Sequence, residues 1–133
     1  MSDFNPNDIG NKNSNIFGFP SDVESAKIVF IPVPWDATVS YNAGTAKGPE
    51  AIFNASFQVD LYNPFKENAW EPIYAMCAVS EKIKEKNEVY KQFSEIVISH
   101  LANGYDIADS KEAQESLLLV NAGCADLNSW VKD

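Results

Sequence analysis

Residues 27–52 read KIVFIPVPWDATVSYNAGTAKGPEAI, and the order of residue types in this stretch decides the fold class. From Lys27 to Val33 both alternating sets of side chains are apolar, the pattern of a central parallel strand. Pro32 belongs near the C-terminal end of that strand, because an interior proline would break the ladder. The strand empties into a loop with glycines at 44 and 48. Pro49 then suits the first helical position, where its missing N–H costs nothing, and Glu50 complements the positive end of the helix dipole. The short helix carries Ile52, Phe53, Ala55 and Ser56. Strand, loop and helix in this order define an α/β protein, and open α/β sheets place ligands outside the C-terminal ends of their strands.

Working outward, residues 1–25 are rich in Asn, Ser and Asp with no sustained period. They predict an extended or loosely packed polar arm, followed by a domain over residues 26–133. LYNPFKENAWEP (residues 61–72) is turn material, and Ile73 to Ala78 predicts a second strand. From Ser80 the spacing of Ile83, Tyr90, Phe93, Val97 and Leu101 predicts a long amphipathic helix, stopped by Asn103-Gly104. Asp109 followed by Glu112 resembles a capping box that opens a further helix. Its stripe is Ala113, Leu117, Val120, Cys124, Leu127 and Val131. That helix is still amphipathic at Trp130 and Val131, and two strands are fewer than a free-standing parallel sheet wants. The expectation is a chain cut in mid-architecture.

The 133 residues hold one domain or part of a larger one, and 45% hydrophobic and 12% aromatic content supplies a core. The net charge is −9, and all 10 basic residues are lysines. An acidic chain without arginine is poorly suited to nucleic acid, which needs clustered positive charge. No apolar run is long enough to span a membrane, and the polar N-terminus has no signal-peptide pattern. Cys77 and Cys124 read as reduced thiols of a cytoplasmic protein.

Three readings of the loop stay open at this level. Gly44-Thr-Ala-Lys-Gly48 suggests a phosphate cradle but fails both the P-loop and the GxGxxG spacings. Alternatively, the two glycines serve tight turns and close helix packing. The third reading is a substrate-facing loop at a strand end. Elsewhere the residues offer little chemistry. His100 is the only histidine, and a lone helical histidine is more often packed or on the surface than a metal ligand. The run of Lys82, Lys84, Glu85, Lys86 and Glu88 reads as a solvated helix face with ion pairs along it.

Val33-Pro34-Trp35-Asp36, Gly44-Thr45, Gly48-Pro49-Glu50-Ala51-Ile52 and Ala55-Ser56 together resemble the N-terminal segment of the agmatinase/arginase (ureohydrolase) family. The later LANGYDI and NAGCADLNSWV segments resemble, more loosely, an insertion in one bacterial branch of agmatinase-like proteins. The resemblance implies part of a three-layer α/β/α fold around a mainly parallel sheet. It also implies hydrolysis of a guanidino C–N bond, agmatine giving putrescine and urea, by two manganese ions that activate a bridging hydroxide. A homo-oligomer and a small guanidino substrate come with it.

The family's metal-binding segments, Gly-Gly-Asp-His, Asp-Ala-His-x-Asp and Asp-x-Asp, are not among these residues. No catalytic or metal-ligating residue is therefore carried over, and neither manganese binding nor activity is expected of this chain alone. The carried-over candidates lie in the loop. Asp36, Tyr41 and Asn42 are expected at the mouth of the active site, with Gly44, Gly48 and Pro49 shaping it. Lys47 is the nearest cation. The competing expectation is a non-enzymatic interaction or assembly module.

Overall fold

The structure, a computed structural model, describes residues 4–133. Two units account for it, and both are discontinuous in sequence. One comprises the described residues through Pro32 together with Gly48–Val79; the other comprises Val33–Lys47 together with Ser80–Asp133.

The first unit contains β1 (Ile28–Phe30), α1 (Gly48–Ser56) and β2 (Tyr74–Met76). β1 and β2 pair in parallel, with Ile28 opposite Tyr74, Val29 opposite Ala75 and Phe30 opposite Met76. Parallel pairing in this small sheet is compatible with the α/β class. The strands are shorter than the apolar run predicted. Burial on both faces of β1 is not reached, because Ile28, Val29 and Phe30 all remain partly exposed. Among the described residues β2 is the only neighbour of β1, and a single neighbour leaves the other edge uncovered.

The N-terminal segment packs more tightly than its composition predicts. Ile16 and Phe19 are among the most buried side chains, and the ring of Phe4 stacks on Phe19 at 4.6 Å. Polar side chains do much of the fastening. The Asn15 side-chain oxygen accepts from the Ile16 and Met76 N–H groups, at 2.7 and 2.8 Å. The Ser21 hydroxyl donates to the Tyr74 carbonyl at 2.7 Å, and Ser56 Oγ accepts from the Phe17 N–H at 2.9 Å. The Asn- and Ser-rich composition that suggested a loose arm is thus partly a set of caps and staples, which satisfy buried backbone groups. Residues 1–3 of the expected arm lie outside the described residues.

The second unit is built on α2 (Glu81–Ala102) and α3 (Lys111–Lys132), packed along each other. α2 starts where expected, with the Ser80 hydroxyl capping the Ile83 N–H, and it ends at Asn103 before Gly104 in the left-handed region. α3 starts one residue later than predicted. Asp109 closes a 3-10 turn, and Ser110 is the cap, accepting from the Ala113 N–H at 3.2 Å. Ser110→Ala is therefore expected to lower stability by about 1 kcal/mol, and Asp109→Ala to leave it nearly unchanged. Urea unfolding followed by helical circular dichroism separates the two, and equal losses would contradict the assignment of the cap.

The packed face of α3 also differs from the predicted stripe. Ala113, Ser116, Val120 and Gly123 are buried, whereas Leu117, Cys124 and Leu127 are half-buried and Val131 is exposed. Small residues occupy the contact line because the helices approach closely. A Cβ at Gly123 would lie 2.6 Å from the Tyr90 ring. On α2 the buried positions are Ile83, Asn87, Ser94 and Val97, while Leu101, expected on the apolar stripe, is exposed. Lys86 reaches across to Asp126, so the charged face of α2 pairs with α3 as well as along its own helix.

Candidate functional loop

The loop of residues 33–47 belongs to the second unit and is organised by one carboxylate. Pro34, Asp36 and Ala37 are buried, and the Trp35 ring packs 5.7 Å from that of Tyr90 on α2. The Asp36 side chain is only 1% exposed. A buried carboxylate is costly unless every oxygen is paired, and here both are. Oδ1 accepts from Lys91 Nζ at 2.7 Å and from Asn87 Nδ2 at 2.9 Å, both on α2. Oδ2 accepts from the Gly44 N–H at 2.8 Å, eight residues further along the loop. The Asp36 N–H also donates to Asn87 Oδ1 at 2.7 Å, so Asn87 grips Asp36 at two points.

Burial is the largest single influence on the Asp36 carboxyl and opposes its ionisation. The bonds from Lys91, Asn87 and the Gly44 and Ala46 N–H groups together outweigh it and hold the pKa at about 2, below the ordinary 3.8. The Lys91 ammonium is correspondingly raised, chiefly by its bond to Asp36. Glu88 lies 3.4 Å from the same ammonium on the exposed side.

Of the other candidates only Gly44 touches this anchor directly. Tyr41 is 82% exposed. Asn42 has φ 50°, a left-handed conformation that Asn tolerates better than most residues. Gly44, with φ 138°, adopts a backbone that a side chain would strain. The Lys47 N–H returns to the Gly44 carbonyl at 3.0 Å, closing the 3-10 turn Thr45–Lys47. Gly48, expected to serve a tight turn or close packing, has no such need: its φ is not positive and a Cβ there would meet nothing within 4 Å. Asp36, Asn42 and Gly44 thus belong to one folded loop, with Tyr41 exposed on it.

Sequence reasoning missed Asn87 and Lys91. The signal was present in the stripe itself. Asn87 follows Ile83 by four residues and precedes Lys91 by four, so a polar side chain and a cation share the buried face of α2. Lys82, Lys84, Glu85, Lys86 and Glu88 read as a solvated face, and Asn87, between the last two of them, is the buried polar position that this pattern masks.

His100 Nε2 lies 2.8 Å from the Asp106 carbonyl oxygen, beside the Tyr105 ring. Among the described residues no three His, Cys, Asp or Glu side chains come together as a metal site. No helix among them is long and apolar enough to cross a membrane.

The chain thus combines a parallel strand pair, a glycine-bearing loop after the first strand and a short helix that begins at Gly48, so that Pro49 is its second residue rather than the expected first. The arginase family model matches residues 26–108, more than half of the chain, and the chain belongs to that family. It is also similar to the N(1)-aminopropylagmatine ureohydrolase of Synechocystis sp., with 45% identity over 38 residues. Those residues are 29% of this chain and 12% of that relative, so the match spans about an eighth of the relative's length. No solved structure matches. Arginase-family proteins are in general metal-dependent, but the side chains described here do not fit a manganese pair, since no three suitable ligands converge.

Proposed function

We propose that this chain is the N-terminal portion of an agmatinase-like ureohydrolase, and that residues 36–47 form one wall of its substrate pocket. The observation that carries this reading is the family match across the strand, loop and helix of residues 26–108, joined to a loop whose Gly44 N–H is bonded to the buried Asp36 carboxylate. The partial relative is named for a ureohydrolase acting on an N-substituted agmatine, which supports a linear guanidino compound as the substrate class. Agmatine, giving putrescine and urea, is the simplest member. In this reading Tyr41 and Asn42 line the pocket mouth, while Gly44, with its positive φ, shapes the loop. The same reading includes a complete three-layer α/β/α domain, a binuclear manganese centre on residues other than those described, a homo-oligomer and a cytoplasmic location.

A hybrid tests it. Residues 1–133 are fused ahead of the remainder of the Synechocystis ureohydrolase, replacing that enzyme's corresponding portion. The hybrid is expected to release urea from agmatine or aminopropylagmatine in a manganese-dependent way, and the 133-residue chain alone to release none. A folded hybrid without urea release would count against the loop as a substrate wall. Urea release by the chain alone would overturn its inactivity.

A further inference from the structure

We propose that Lys91 and Asn87 on α2 are positioning residues: acting through Asp36, they set the loop conformation in which residues 41–47 are presented. The inference deepens the substrate-loop reading and rests on it.

Three observations carry it. First, one carboxylate ties three places together, since Lys91 and Asn87 bond to one oxygen and the Gly44 N–H to the other. Second, the loop lacks regular structure at its tip. Asn42 and Gly44 both have positive φ, and the backbone bonds within the loop, Val39 N–H to Asp36 O and Lys47 N–H to Gly44 O, are local. A segment of this kind keeps one conformation only when its surroundings impose it. Third, Asn87 and Lys91 stand one helical turn apart on a 22-residue helix, a rigid base for the two donors.

The pairing also has a chemical consequence. A guanidinium substrate seeks carboxylates. With its charge already met by Lys91 and its side chain buried, Asp36 is withdrawn from that competition. Its task is to hold the loop.

The test uses the full 133-residue chain and reads amide hydrogen exchange and the Asp36 carboxyl titration by NMR. In Lys91→Met the Gly44 amide is expected to exchange about tenfold faster, the loss of a charged hydrogen bond's worth of protection, while the Val97 and Val120 amides stay protected. The Asp36 midpoint is expected to rise, and Lys91→Arg to restore both readouts. If Lys91→Met loses its helical signal, Lys91→Gln is judged by the same two criteria. Unchanged Gly44 exchange in a folded variant would overturn the positioning role. That failure is distinct from failure of the hybrid, which bears only on whether the loop meets substrate.

Discussion

Asp36→Ala is expected to lower stability by about 3 kcal/mol, the cost of breaking a buried, multiply bonded ion pair. Lys91 is 27% exposed and retains Glu88 nearby, so its charge is not stranded. The larger losses fall on Asn87, which is buried and would lose an acceptor, and on the Gly44 N–H. Urea denaturation followed by helical circular dichroism reads the change in midpoint. A midpoint equal to that of the unaltered protein would show that the clamp adds no net stability.

The same substitution has a pH signature. The folded-state pKa of Asp36, about 2, lies below its ordinary value of 3.8, so the unfolded chain takes up the proton first as acid is added. The contribution is complete above about pH 5, declines as the pH falls through 4 and is gone below about 2, amounting to about 2 kcal/mol. Asp36→Ala should remove that part of the acid dependence, leaving a flatter stability profile between pH 2 and 5, by the same linkage.

Gly123→Val is the second large effect, expected to cost about 2 kcal/mol through overpacking between α2 and α3. The added Cβ would stand 2.6 Å from two ring carbons of Tyr90. Moving that ring would disturb its contacts with the Trp35 and Phe93 rings, whose centroids lie 5.7 and 6.4 Å from its own. Alanine at the same position is a poorer probe, since its smaller clash is offset by about 1 kcal/mol of helix propensity gained over glycine. Combining Gly123→Val with Tyr90→Ala should cost less than the sum of the two single changes. Strict additivity in thermal or urea unfolding would contradict the close approach.

Much of the local structure was legible because it is written in nearest-neighbour chemistry. A helix from Ser80, Asn103-Gly104 as its stop, a short helix around Pro49 and a strand in the apolar run after Lys27 all rest on residues within a few positions of one another. The small errors have the same scale. Ser110 displaced Asp109 as the cap because the chain first makes a 3-10 turn at Ile107–Asp109. The glycine loop was legible as a compound pattern with the family's signature, although neither glycine alone distinguished a ligand loop from a turn.

The loop's anchor was not legible, and the reason is distance along the chain. Asp36 meets Asn87 across 51 residues, and no periodicity within either segment announces the meeting. Taken alone, Asp36 looked like a loop carboxylate near a substrate, and Lys91 looked like one more cation on a charged helix. By itself the sequence determined the α/β class, the presence of the two long helices and the family, because these rest on local propensity and on an ordered motif. Only the tertiary structure decided what Asp36 does. A buried carboxylate must find its partners wherever the chain folds them, and it found them on α2.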